Sequence, residues 1–262
     1  MIYAFLGKGG VGKSTVSTAF ALEKSELEKE EVALITFDFM SSLHHILKNG
    51  YKNIDIYEYS EATIANNWIE EYGEEVYDLI SSFFDLDKEI INHIARAPGI
   101  SEEFMLSEIL AMKAKYKTIV WDTAAASSTI HLLLAEKEFY DHINRDIKFY
   151  VSIKNMLNKI NRHSKDPLTI LNKWQELAKN VWDVLEKETI FFVIENEDEL
   201  SRIQAFEIEN DLRNMGLNIK AHILNRCTSC DSTISIPELK GSAIETVQKI
   251  REHIRESMKE YL

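Results

Sequence analysis

Short runs of mostly apolar residues, spaced along the chain and separated by helical patterns, leave few folds open to this sequence. Residues 2–6 stop at Gly7, residues 32–37 at Asp38, residues 119–121 at Asp122 and residues 219–224 at Asn225. Residues 190–194 and the shorter 233–236 complete the set. Between them, residues 14–29, 61–82, 101–115, 168–188, 199–214 and 242–261 have helix-forming composition. In the first of these helices, Val16, Ala19, Phe20 and Leu27 are expected to face inward. Short buried strands alternating with helices predict an α/β fold, a mostly parallel central sheet with helices on both faces. Ligands of such sheets bind beyond the carboxyl ends of the strands. Gly7, Asp38, Asp122 and Asn225 all fall at those ends, which points to one shared site.

Composition narrows the class further. The chain has 262 residues, enough for a sizeable core, and no Pro/Gly/Ser-rich linker. It reads as a single domain over residues 1–262. Roughly residues 51–115 and 132–188 exceed what a crossover helix needs and are read as helical insertions forming a subdomain. The formal net charge of -13 disfavours nucleic acid and anionic lipid as partners. No apolar stretch is long enough for stable membrane insertion. A strand beginning within two residues of Met1, without a basic leader, suggests a cytoplasmic protein.

The segment Gly7-Lys8-Gly9-Gly10-Val11-Gly12-Lys13-Ser14 joins the first strand to the first helix. It satisfies the spacing G-x-x-x-x-G-K-[ST] in full. Its glycines let successive backbone N–H groups turn inward around phosphate oxygens. The helix start at Lys13, Ser14 and Thr15 adds positive potential. Lys13 is expected to contact the β- and γ-phosphates, and the Ser14 hydroxyl to ligate Mg²⁺. The loop therefore predicts an ATP/ADP site, with Gly7, Gly9, Gly10, Val11, Gly12, Lys13, Ser14 and Thr15 as its lining. Asp38 and Asp122, at strand ends beside it, are candidate carboxylates for water and metal. The alternative for either is a helix cap or a turn.

The second lysine, Lys8, makes the loop resemble the deviant Walker A motif of a P-loop class. That class includes nitrogenase iron proteins, partition and septum-site ATPases, nickel-insertion ATPases, and arsenite-pump or tail-anchored-protein targeting ATPases. Residues 122–133, Asp-Thr-Ala-Ala-Ala-Ser-Ser-Thr-Ile-His-Leu-Leu, resemble the switch segment of the last of these families. They keep Asp-Thr-Ala, Thr129 and Leu132-Leu133 while replacing its proline, glycine and histidine. Residues 97–102, 200–201, 223–226 and 236–239 are similar to further segments of that family, in the same order. The resemblance thus runs from residue 1 to about 241. It implies a homodimer in which Lys8 reaches the partner's nucleotide. It also implies that Asp38 orients the attacking water, that Asp122 holds Mg²⁺, and that Asn225 reads the adenine edge with Pro237 packed near the base. The first switch departs from the family: Phe39, Met40 and Ser41 follow Asp38 where a proline, alanine and histidine are usual.

Cys227 and Cys230 are the only cysteines. One such pair supplies half of a zinc site, so a zinc shared across a two-fold dimer, two reduced thiols and a redox pair all stand open. The family resemblance suggests a targeting factor for hydrophobic transmembrane segments. Phe83, Phe84, Ile90, Ile91, Phe104, Met105, Leu106, Phe149, Tyr150, Val151, Ile153, Met156, Leu157 and Ile160 are candidate groove residues, or else local core. A metallocentre-maturation ATPase using the cysteine pair and an arsenite-pump subunit are the alternatives.

Overall fold

The computed structural model describes residues 1–38, 43–47, 51–81, 84–96, 100–157, 167–217, 219–228, 230 and 234–262. In chain order the elements begin with β1 (Ile2–Gly7), α1 (Lys13–Glu28), β2 (Val32–Thr36), α2 (Leu43–Ile46) and β3 (Ile54–Glu58). Next come α3 (Glu61–Ser81), α4 (Ile90–Ala95), α5 (Ile100–Met112), β4 (Thr118–Asp122), α6 (Ala126–Leu157) and α7 (Pro167–Lys187). The chain closes with β5 (Thr189–Glu195), α8 (Glu199–Asn214), β6 (Ile219–Cys227), β7 (Ser235–Pro237) and α9 (Ala243–Ser257). Two compact units divide it: residues 1–60, 111–131 and 185–262, and residues 61–110 and 132–184.

The first unit holds a seven-stranded sheet in the order β3-β2-β4-β1-β5-β6-β7, every pairing parallel. This is the α/β architecture the strand pattern predicts. The central strands β1, β2 and β4 are buried throughout, which is why they read as continuous apolar runs. From β1 the chain first builds toward β3 and later returns to build toward β7. The sheet therefore has its switch point between β1 and β4, where Phe5 pairs with Asp122.

The edge strand β3 lies inside an interval the sequence presents as helical. Its sequence Ile-Asp-Ile-Tyr-Glu alternates rather than running apolar, because only part of it is buried. Alternation over five residues is a weak strand signal beside a long helical pattern.

Aromatic rings bind the sheet to its helices. Phe20 of α1 lies 4.9 Å from Tyr3 and 5.3 Å from Phe5, centroid to centroid. Phe192 stacks on Phe5 at 5.2 Å and meets Tyr261 edge-on at 5.1 Å. Helix α1 is buried on several sides, including polar Ser17, Thr18, Glu23, Lys24 and Ser25, because α9 covers the side away from the sheet. Leu27, expected inward, is 51% exposed: it falls in the last turn, away from both neighbours. The stripe Val247, Ile250, Ile254 and Met258 is core.

The second unit is helical. Trp68, Tyr72 and Val76 of α3 are buried, as are Phe104, Met105, Leu106 and Ile109 of α5. Phe104, Met105 and Leu106, candidates for a client groove, are thus core, as is Ile91, while Phe84 is exposed. Phe83 and Ile160 lie outside the described residues, as do the side chains of Phe149, Tyr150, Val151, Ile153, Met156 and Leu157. Among the described residues no helix is long and apolar enough to cross a membrane.

Candidate nucleotide site

The carboxyl end of β1 turns sharply at Gly7. A Cβ there would stand 2.4 Å from the Ile194 carbonyl oxygen on β5, so only glycine lets the two strands run this close. Gly12 sits at φ 99 as the N-cap of α1 and carries no side-chain cap. A Cβ there would stand 2.4 Å from Asn225 Nδ2. The helix start is thereby left to the backbone, the arrangement that suits an anion.

Lys13 is 8% exposed, and its ammonium donates to the carbonyls of Gly7 and Lys8, each at 3.2 Å. Burial lowers its pKa, against the opposing pull of Asp122 and Asp38. Lys8 is half-buried, and Gly9 and Gly10 are exposed at the tip of the loop. Val11 is 1% exposed and packs beneath it. Ser14 and Thr15 are half-buried in the first turn of α1.

Asp122 ends β4 and is 1% exposed. Burial pushes its pKa up to about 6, with hydrogen bonds from Ser14 and Ser17 and the charge of Lys13 pulling the other way, and Asp38 adding to the rise. Its Oδ1 is buried with no hydrogen-bond partner. A buried carboxylate with one oxygen unsatisfied, beside a serine hydroxyl, fits a hydrated Mg²⁺. Asp38 is half-buried just past β2, and its backbone N–H donates to Thr36 Oγ1 at 3.1 Å. It interacts electrostatically with both Lys13 and Asp122, which groups the three charges. Phe39, Met40 and Ser41 lie outside the described residues, as does the stretch 97–99.

Asn225 is 4% exposed, and its side-chain amide donates to the Val11 carbonyl at 2.7 Å. Asn225, the residue expected to read an adenine edge, thus also braces the loop from beneath. Pro237 ends β7, half-buried, and pairs with Cys227 on β6. Two further residues belong to this neighbourhood. Thr123 anchors the segment after Asp122 by donating to the Phe5 carbonyl at 2.8 Å. Arg226 has φ 56 at an irregularity of β6, and its guanidinium lies 4.0 Å from the Gly12 Cβ position. Neither role is legible in the sequence, because both depend on which strand lies beside which.

The cysteine pair corrects one expectation. Cys227 and Cys230 form a disulfide, with Cα atoms 5.5 Å apart. Both sulphurs are bonded to each other, so the thiolates that a shared zinc requires are absent. Among the described residues no group of three or more His, Cys, Asp and Glu side chains is placed to hold a metal ion.

A family model described as anion-transporting ATPase matches residues 1–261. The chain belongs to this family. Among its relatives, the putative arsenical pump-driving ATPase 2 of Aquifex aeolicus (strain VF5) is 26% identical over 245 residues, covering 86% of this chain and 79% of that protein. The ATPase ASNA1 homolog of Plasmodium falciparum (isolate 3D7) is 25% identical over 265 residues, 97% of this chain and 59% of the relative. The ATPase ASNA1 homolog of Dictyostelium discoideum is 25% identical over 198 residues, 71% of this chain and 57% of that protein. The chain thus spans about three fifths of these ASNA1 homologs. In this member of the family the glycine-rich loop, Asp38 and Asp122 lie within one unit, at the carboxyl ends of β1, β2 and β4.

Proposed function

We propose that this anion-transporting ATPase family member is a homodimeric, Mg²⁺-dependent ATPase. Its nucleotide cycle opens and closes a helical surface that shields hydrophobic transmembrane segments in the cytoplasm. The observation that carries the nucleotide part is the pairing of an uncapped helix start at Gly12 with the buried, unsatisfied Oδ1 of Asp122. Phosphates satisfy the first and a divalent cation the second. Mg²⁺ would be held by Ser14 and Asp122 and would supply charge neutralisation at the phosphates. In this reading Lys13 contacts the β- and γ-phosphates, Lys8 serves the partner's nucleotide, and Asp38 orients water. The catalytic contribution is positioning and electrostatics, with no covalent intermediate.

The targeting part is supported by the match to ASNA1 homologs over 97% of the chain in the Plasmodium falciparum case. Helix α6 begins just past Asp122 and continues to Leu157, so the segment after the metal carboxylate and the helical unit are consecutive in the chain. Asp38→Asn is expected to bind ATP normally and to lose at least 90% of turnover, about 1.4 kcal/mol of barrier or more. Unchanged hydrolysis in that variant would remove the role given to Asp38. Co-purification of a tail-anchored substrate, with and without ATP, tests the client. Retention in neither state argues against targeting.

A further inference from the structure

Strand β6 carries a strained residue beside the phosphate loop. Asn225 pairs with Ile236 and Cys227 with Pro237, so Arg226 is an extra residue in the ladder. Its φ of 56 lies in the left-handed region, which L side chains seldom adopt. Two other described non-glycine residues share that sign of φ. Lys29 is the C-cap of α1, where the left-handed region is common, and Asn53 belongs to a residue type that tolerates it. An arginine inside a strand has neither reason. Bulges re-aim side chains, and such strain persists only where the surroundings impose it.

The surroundings of Arg226 do impose it. Before the bulge, the buried Asn225 amide donates to the Val11 carbonyl. After it, Cys227 is buried and bonded to Cys230, and its carbonyl accepts from the Glu238 N–H at 3.3 Å. Thr228 donates to the Glu197 carboxylate twice, from its backbone N–H at 2.8 Å and from its hydroxyl at 2.6 Å. The backbone is thus held on both sides while the Arg226 side chain stays exposed.

That side chain is aimed at the loop. Its Nη2 lies 4.0 Å from the Gly12 Cβ position, beside the uncapped start of α1. A helix start concentrates positive potential, and a cation there opposes the helix dipole. Lys13 already brings one ammonium to the same loop. A second cation is therefore unfavourable in the empty protein. An anion between them reverses the balance. Phosphate oxygens meet the free N–H groups and the guanidinium together, and the planar fork can hold two oxygens at once.

We propose that Arg226 is a phosphate-binding residue of the nucleotide site: its guanidinium contacts the phosphate chain of bound ATP or ADP, and the bulge in β6 aims it there. The inference rests on the nucleotide reading of the loop and adds to it a contact from a strand outside the loop.

The test titrates the full-length protein with Mg-ATP and with tripolyphosphate, which has the phosphates but neither base nor sugar. Arg226→Gly removes the guanidinium and also suits a φ of 56. It is expected to weaken both ligands at least tenfold, while the urea midpoint of the empty protein stays the same or rises. Arg226→Lys keeps the charge but loses the fork, and its affinities should fall between those of the other two proteins. Unchanged affinity for both ligands in Arg226→Gly overturns the proposal. So does a loss confined to Mg-ATP, which would place the contact on the base or sugar. A lower urea midpoint in Arg226→Gly, with equal losses of affinity in Arg226→Lys, would make Arg226 a structural residue and also overturns it. The nucleotide reading is tested separately by Lys13→Ala. Binding that Lys13→Ala abolishes and Arg226→Gly leaves intact sinks the role of Arg226 alone, whereas an unaltered protein that binds neither ligand sinks both.

Discussion

At the scale of single residues, the glycine at position 12 carries the sharpest constraint. Its φ of 99 is costly for any L side chain, and its missing Cβ makes room for Asn225. Gly12→Ala is expected to displace the amide that braces Val11 and to weaken ATP binding at least tenfold, read by displacement of a fluorescent nucleotide. Wild-type affinity in that variant would mean the brace does not set the shape of the loop. His222 offers a pH-dependent counterpart. Its Nε2 lies 3.2 Å from Glu209 and its Nδ1 3.7 Å from Glu195. The Glu195 carboxylate, and with it that of Glu209, raises its pKa above 6.5, outweighing burial. A raised histidine stabilises the fold below its unfolded pKa and loses that contribution as pH climbs through the folded value. His222→Gln should therefore lower the melting temperature at pH 5.5 and do so much less at pH 8.5. An equal loss at both values would show that packing, not charge, is what His222 provides.

At the scale of elements, the contact between α1 and α9 rests on a charge inside it. Glu23 is fully buried on α1 and accepts from Arg251 at 3.1 Å and from Arg255 at 2.9 Å, both on α9. Burial alone would raise its pKa, but the two guanidiniums hold it below the usual carboxylate range. Glu23→Gln leaves Arg251, 14% exposed, with Glu26 alone as its counter-charge and should cost about 2–3 kcal/mol in urea unfolding. Because the folded pKa is depressed, this contribution is present above the unfolded value and is lost as pH falls through the folded one. The difference between variant and wild type should accordingly shrink in acid. Several of these elements announce themselves in the sequence. Asp198 caps α8 by accepting from the Ser201 N–H, Gly216 ends that helix at φ 83, and Ser242 with Glu245 forms a capping box on α9. Edge strand β3 does not, because a half-buried strand shows alternation only and this one spans five residues.

At the scale of the molecule, ligand linkage gives the broadest test. If Asp122 and Ser14 hold Mg²⁺ against bound ATP, Mg-ATP at a hundredfold over its Kd adds about 2.7 kcal/mol to the nucleotide-binding state. That corresponds to a rise of roughly 5–10 °C in melting temperature for a protein of this size. ATP with EDTA should give a smaller rise, and Lys13→Ala none. Identical curves with and without Mg²⁺ would remove the metal from the site.

The sequence by itself determined the strand–loop–helix at the start of the chain, the central strands and the position of the candidate acidic residues. Those features are local: an apolar run long enough to be buried on both faces, a glycine spacing, a polar residue at a strand end. Only the tertiary structure decided that β4 lies beside β1, bringing the unsatisfied oxygen of Asp122 near Ser14. It alone turned Asn225 toward the Val11 carbonyl and brought aromatic side chains from four helices together. Strand order, side-chain aim and cavity walls depend on contacts between residues far apart in the chain. A local pattern carries no record of which distant partner its face will meet.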